Sequence, residues 1–299
     1  MTAASDGLVL IDKPAGPTSH DVVAMVRRAL GGIRVGHTGT LDPPATGLLA
    51  IVLGRATRLA RYLPREPKTY VGRFVLGVTT ATDDLTGTVL RRHDGPLPDD
   101  LSVVAAARAL EGSQLQVPPS VSAKRVAGRR LYAFARRGEL VTAPAVEVHV
   151  DRFDVRRGTE PSSWEYELVV TAGTYVRACI RDLGARLGCG AAVASLRRTA
   201  IGPWSVENAL TCPDDPSAWR PALTARVIEL DAMPLTVDPV RLSDGAAQRL
   251  FASGGSIRCP APELSAGTEV AVHAASGGLL GIGELVNGLV HPRVVVIDR

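Results

Sequence analysis

Residues 48–53 read LLAIVL, six apolar side chains in a row with no polar residue to mark a solvent face. A run of that length without alternation reads as a buried strand. It follows directly on GHTGTLDPPATG at residues 36–47, where three glycines, three threonines and two prolines surround one carboxylate, Asp42. That loop is too small and too polar to be core. No apolar run in the chain approaches the length of a membrane span. The opening MTAASDGLVLIDKP has no basic leader ahead of an apolar stretch, so no signal peptide is expected.

The flanking sequence supplies further elements. Residues 8–11 are a short apolar run before a Pro/Gly turn, and Thr18 and Asp21 then have the spacing of a helix N-terminal capping box. Val22, Val26 and Ala29 share one helical face, and Gly31 is placed to end that helix. ATRLARYL at 56–63 predicts a short helix with Arg58 and Arg61 facing outward. TYVGRFVLG (69–77) and TGTVLRR (86–92) flank a polar loop and predict paired strands. WEYELVV (164–170) alternates Trp164, Tyr166, Leu168 and Val170 with polar residues, a half-buried strand. It leads through TAGTYVR into a helix that buries Ile180, Leu183 and Leu187 and ends at Gly188.

Residues 116–146 are dense in arginine and lysine against one acid and carry Pro118, Pro119 and Pro144 near their ends, which predicts a mobile arm rather than core. ALTARVIELDAM (222–233) reads as a short helical stretch. From about residue 236 the texture changes: TEVAVHA, GLLGIGELV and LVHPRVVVI are short strands spaced by Gly-rich turns, as in a small β-barrel or sandwich. The expected organisation is a mixed α+β domain over residues 1–235 and a small, mostly β domain over 236–299, with no repeat of solenoid length.

Composition narrows the chemistry less than the motifs do. At 45% hydrophobic and 21% charged, the 299 residues are ordinary for a globular protein. The net charge of +4 is compatible with an anionic partner. Lysine occurs only at Lys13, Lys68 and Lys124, and arginine, which supplies the remaining basic charge, forks onto phosphates and stacks on bases. A GC-rich genome would give the same bias. Cys179, Cys189, Cys212 and Cys259 are scattered without a C-x-x-C pair, so neither a structural disulfide nor a metal site is expected. Free thiols fit a reducing cytoplasm.

Asp42 can be read in two ways. An Asp before Pro can cap a helix or close an Asx turn, and on chemistry alone that role is not displaced. Against it, the following segment is broken by glycine and then strand-like, and the glycines would let the backbone approach a ligand closely. A glycosidase would need a second acid at a defined separation, yet Asp83 and Asp84, the nearest acidic pair, read as hairpin-loop residues. Neither a metal-binding acid cluster nor a G-x-S-x-G elbow is found. What remains is a lone carboxylate acting as a covalent nucleophile, with an arginine keeping it ionised.

GHTGTLDPPATGLL resembles the signature of the bacterial tRNA pseudouridine synthase B family. LVLIDKPAGPTSHDVV is similar to that family's N-terminal motif, and KTYVGRFVLGVTTATDDLTG to its K-x-Y…LG…T-x-T motif. QVPPSVSAKRVAGRRLYAFARRG is similar to its Q-x-P insertion, GTYVRACIRDLGARLGCGA…LRRT to its strand–helix segment, and GLLGIGELVNGLVHPRVVV to the end of a PUA RNA-binding domain. These motifs cover nearly the whole chain in order.

The resemblance implies a pseudouridine synthase fold, a mixed, largely antiparallel sheet flanked by helices, followed by a small PUA-like β-barrel. It implies isomerisation of uridine to pseudouridine at position 55 in the T-loop of tRNA, without cofactor or metal. Asp42 falls on the catalytic aspartate, Tyr70 on the tyrosine that stacks on the target base and is the candidate for removing its carbon-5 proton, and Arg177 on the arginine that pairs with the aspartate. His37 falls on the histidine that fills the space left by the flipped nucleotide. Tyr175 and Leu196 fall on residues lining the base pocket. Lys13, in DKPAG, reads either as a solvated surface charge or as a phosphate or turn contact. The chain departs from the family's Y-S-A-x-K, having Val121 for the tyrosine and Arg125 for the lysine.

The expected partner is the T-arm of tRNA, with a monomeric, cytoplasmic protein, no protein partner and no membrane. Two rivals are a tRNA-binding or folding protein of the same fold without turnover, and an acid-dependent hydrolase of small glycosides or phosphates. The first predicts damage to the set Asp42, Tyr70 and Arg177, all of which are present. The second predicts a second acid or metal ligands.

Overall fold

The computed structural model describes residues 6–121, 125–126, 129–130, 143–259, 261 and 264–297. Most of the basic arm expected over 116–146 therefore lies outside the described residues. The first half of the chain forms β1 (Gly7–Lys13), α1 (Ser19–Ala29), β2 (Val35–His37), β3 (Thr46–Leu53), β4 (Lys68–Leu76), β5 (Val78–Thr80), β6 (Val89–Arg92), α2 (Asp100–Arg108) and β7 (Gly112–Gln116). Next come β8 (Arg125–Val126), β9 (Arg129–Arg130), β10 (Val146–Arg157), β11 (Ser163–Val170), α3 (Val176–Arg186) and β12 (Ala191–Ile201). The remainder adds β13 (Trp204–Ser205), β14 (Leu210–Thr211), α4 (Trp219–Thr224), β15 (Ile228–Glu229), β16 (Asp238–Arg241), α5 (Gly245–Ala252), β17 (Ile257–Arg258), β18 (Glu269–His273), β19 (Leu279–Val286) and β20 (Leu289–Val295). Among the described residues no helix is long and apolar enough to cross a membrane.

Two compact units divide the chain: Met1–Pro43, Leu49–Pro64 and Asn208–Arg299 form one, Pro44–Leu48 and Arg65–Glu207 the other. In the first, β1 lies between β14 and β3, with β2 antiparallel to β3 and β15 antiparallel to β1. The apolar run of β3 is buried along its length. Its Leu49, Ile51 and Leu53 join Val9 and Ile11 of β1, Val22 and Val26 of α1, and Leu223 of α4 in one core. Each such side chain, fully buried, contributes roughly 1.5–3 kcal/mol. Helix α1 starts on the expected capping box: Thr18 Oγ1 accepts the Asp21 N–H at 3.1 Å, and Asp21 accepts the Thr18 N–H at 2.8 Å. It ends two residues before Gly31, whose φ is +75°.

The helix expected over 56–63 is instead a pair of 3₁₀ turns, Gly54–Arg58 and Ala60–Tyr62. Its arginines have partners in the C-terminal strands: Arg58 donates to the Val295 carbonyl at 2.6 Å, and Arg61 and Tyr62 both donate to Glu269, at 2.6 and 2.8 Å. Those strands run in the order β16-β18-β19-β20-β17, an open sheet rather than a closed barrel. Phe251 of α5 is buried against Val270, Val272, Leu285 and Val290. The helix expected over 222–233 stops at Thr224, because Ile228 pairs with Leu8 as strand.

In the second unit the order is β12-β4-β11-β10-β7 with every neighbour antiparallel, and Thr46 and Gly47 run parallel to Arg197 and Arg198 of β12. The alternation expected for 164–170 is realised: Trp164, Tyr166, Leu168 and Val170 are buried. Phe74 stacks on Trp164 with ring centroids 6.4 Å apart, while α2 packs on β10 and α3 on β12. The pairing expected between 69–77 and 86–92 does not form. Strand β4 is taken on both sides by β11 and β12, and β6 pairs with β5 instead. An alternating central strand needs two neighbours, which a local hairpin cannot supply.

Candidate active site

Asp42 sits in the loop that joins β2 to β3, and the residues on either side of it are fixed from the first unit. One hydroxyl, Ser19 Oγ, accepts the Leu41 N–H at 2.9 Å and donates to the Leu41 carbonyl at 3.1 Å. Ser19 is the first residue of α1 and is buried. On the other side, the Pro43 carbonyl accepts the Gly16 N–H at 2.8 Å and Lys13 Nζ at 3.2 Å. Lys13 is 0% exposed and also donates to the carbonyls of Pro14 and Pro17, both at 2.8 Å. Its burial sets aside the reading as a solvated surface charge, and the three carbonyls are turn contacts. Asp42 itself is partly exposed. It is presented by two pinned neighbours.

His37 ends β2, and its ring lies edge-on to that of His20, centroids 5.5 Å apart. The glycine expected to admit a ligand has a different use at Gly47. With φ +101°, it lets β12 approach so closely that an added Cβ would lie 2.2 Å from the Arg198 carbonyl oxygen.

Tyr70, Arg177, Tyr175 and Leu196 all belong to the second unit. Tyr70 is buried on β4, in register with Leu168 of β11 and Arg198 of β12. Tyr166 beside it has its phenol pushed well up, first by burial and then by Cys179 and Tyr70. Leu196 is half-buried on β12, opposite Gly72. Arg177 lies in the first turn of α3, where the helix dipole disfavours a cation. It is nonetheless 6% exposed, held by the Thr82 carbonyl at 2.6 Å and the Val121 carbonyl at 2.9 Å, with Asp84 Oδ2 3.8 Å from Nε.

Asp84 thus does more than close its loop. Its Oδ1 accepts from Thr82 Oγ1 at 2.7 Å and from the Thr86 N–H at 3.0 Å, which leaves Oδ2 to face the guanidinium. One turn along α3, Arg181 reaches Asp83 at 3.3 Å and the Val117 carbonyl at 3.0 Å. Asp83 has φ +61°, and burial raises its carboxyl against Arg181 and Arg177, which pull it down. Lys68, two residues before Tyr70 on β4, is lowered to about 8, first by burial and then by repulsion from Arg198 and Arg65. Sequence reasoning did not single out Ser19 or Lys68, nor the facing of Asp84 toward Arg177. The T-x-x-D cap marked the start of α1 but carried no sign of the loop it would hold.

Elsewhere in this unit a groove of about 470 Å³ is lined by Val71, Arg73, Asp154, Arg156, Glu165 and Glu167. Arg156 pairs with Glu165 and Arg152 with Glu167, so its charge is balanced in place. Among the described residues no group of three or more His, Cys, Asp or Glu could hold a metal ion.

The first unit thus presents a carboxylate on a pinned loop, and the second holds a buried arginine and a buried tyrosine. The TruB family pseudouridylate synthase N-terminal domain matches residues 27–176, and the tRNA pseudouridylate synthase B C-terminal domain matches 177–214. A tRNA pseudouridine synthase B of Thermobifida fusca (strain YX) is 43% identical over 304 residues, covering 97% of this chain and 98% of the relative. Another, from Leifsonia xyli subsp. xyli (strain CTCB07), is 42% identical over 293 residues, covering 95% and 94%. Among solved structures, a Cbf5-Nop10-Gar1 complex matches with TM-score 0.74 at 24% identity, over 99% of this chain and 86% of that one, a likeness of fold. By sequence across nearly its whole length, the chain belongs to the TruB family of pseudouridylate synthases.

Proposed function

We propose that the protein isomerises uridine to pseudouridine in tRNA, at position 55 of the T-loop, with Asp42 as the nucleophile. The observation that carries this is the Asp42 loop itself. It bears the family signature, and Ser19 and Lys13 bind the residues on either side of the carboxylate. A stacked base cannot present its glycosidic bond to a side chain, so the nucleotide is flipped out, and His37 fills the space it leaves. The bond from ribose C1′ to N1 breaks, the uracil turns, and C1′ bonds to C5. The C5 proton leaves, with Tyr70 as its acceptor, and N1 gains a proton, so the reaction is balanced without a cofactor. Arg177 keeps the carboxylate ionised, while Tyr175 and Leu196 line the base pocket.

In this reading residues 236–299 form a PUA-like domain and the basic arm grips the T-arm. The protein works as a cytoplasmic monomer. The test is tritium release from carbon-5-labelled uridine in a tRNA transcript, comparing wild type with Asp42→Asn. Release that vanishes in the variant while tRNA binding persists is the expected result. No release from folded wild type would favour a tRNA-binding protein without turnover, and release from the variant would mean another carboxylate acts.

A further inference from the structure

Strand β7 breaks the usual rule of burial. Leu115 is 76% exposed while its neighbour Gln116 is 1% exposed. A strand that buries an amide and leaves a leucine to solvent is governed by hydrogen bonds rather than by apolar area.

The partners of Gln116 are specific. Oε1 accepts the Tyr175 N–H at 2.8 Å, and Nε2 donates to the Tyr175 carbonyl at 3.2 Å and lies 3.3 Å from Cys179 Sγ. One side-chain amide thus holds both polar groups of a single peptide residue, as a neighbouring strand would. Tyr175 is the N-cap of α3, and no side-chain hydrogen bond caps it. The Gln116 amide instead fixes the N-cap residue itself, through its own N–H and carbonyl. The segment after it is tied to the same helix, through Arg177 to the Val121 carbonyl and Arg181 to the Val117 carbonyl. Of these contacts, only those of Gln116 fix the backbone of a residue assigned to the base pocket.

We propose that Gln116 is a positioning residue for the reaction, holding the first turn of α3 so that Tyr175 and Arg177 are correctly placed. This rests on the roles given to Tyr175 and Arg177 above. Gln116 touches neither base nor sugar; it acts through the peptide of Tyr175. The place asks for a group that accepts from one backbone group and donates to the other, which neither leucine nor an ionised glutamate can do.

The test uses the full chain, single-turnover tritium release and separate measurement of the tRNA dissociation constant. Gln116→Leu removes every polar contact at similar size. Gln116→Glu keeps the size and the acceptor for the Tyr175 N–H but loses the donor. Rates are read well below each variant's melting midpoint, so unfolding does not enter. A site displaced by a fraction of an ångström loses roughly 10–100-fold in rate, and that loss is expected for Gln116→Leu, with a smaller one for Gln116→Glu. The dissociation constant stays within about threefold of wild type, because the interaction lost acts on the chemical step. An unchanged rate in both variants overturns the proposal, as does a weakening of binding large enough to account for the whole loss. Silence from wild type, or activity in Asp42→Asn, overturns the reading of the site instead.

Discussion

Lys68 shows how one side chain can be costly where it stands and still be kept. It begins β4 two residues before Tyr70, and burial, with repulsion from Arg198 and Arg65, lowers its ammonium from 10.5 to about 8. The folded protein therefore releases this proton more readily than the unfolded chain does. Below about pH 8 both states hold it, and the native state bears a confined charge. Between about 8 and 10.5 only the unfolded state holds it, so the contribution of this group to stability rises with pH through that window. Lys68→Met is expected to raise the melting midpoint at pH 7 and to lose that advantage as pH approaches 10.5, in melts across that range. A gain independent of pH would assign the effect to packing rather than charge.

At the scale of elements, Gly47 and Gly112 separate two reasons for glycine. Both have positive φ, +101° and +94°, but an added Cβ meets backbone only at Gly47, where the Arg198 carbonyl oxygen would be 2.2 Å away. Gly112→Ala is expected to cost about 1–3 kcal/mol, the strain of the backbone alone. Gly47→Ala adds a clash that β12 cannot relieve without leaving β3, and about 4 kcal/mol or more is expected. Urea unfolding of the two variants checks this; equal losses would mean that the close approach of β12 carries no weight. Much of the local structure was legible because its causes are local. The Thr18–Asp21 box starts α1, the alternation from Trp164 to Val170 sets β11, and the apolar run becomes β3. The partners of β4 were not legible, since Tyr70 pairs with Leu168 and Arg198, 98 and 128 residues away. The site divides in the same way. Asp42 stood out in its own loop, whereas the contacts of Ser19 with Leu41, Asp84 with Arg177 and Gln116 with Tyr175 join residues far apart in the sequence.

Across the whole molecule, the three lysines are a poor guide to where RNA is held. Lys13 is enclosed by carbonyls and Lys68 is partly buried on β4, which leaves Lys124, within the basic arm, as the third. The charge available to a polyanion is therefore almost all arginine, and among the described residues exposed arginines include Arg27, Arg28, Arg91 and Arg92 as well as Arg241 and Arg258 of the C-terminal strands. Phosphate contacts release counterions, and each contributes about −0.9 on B-form DNA, or about −0.7 on a single strand, to the slope of log affinity against log salt. If the arm grips the T-arm, the double change Arg129→Ala, Arg130→Ala is expected to weaken tRNA binding and make that slope shallower by roughly 1–2. Arg258→Ala, made separately, is expected to remove less than about one unit of slope, as one side chain can meet at most one phosphate. Filter binding over a salt series measures both. An unchanged slope in the double variant would take the arm out of phosphate contact, and a loss confined to Arg258→Ala would move the electrostatic grip to the C-terminal sheet.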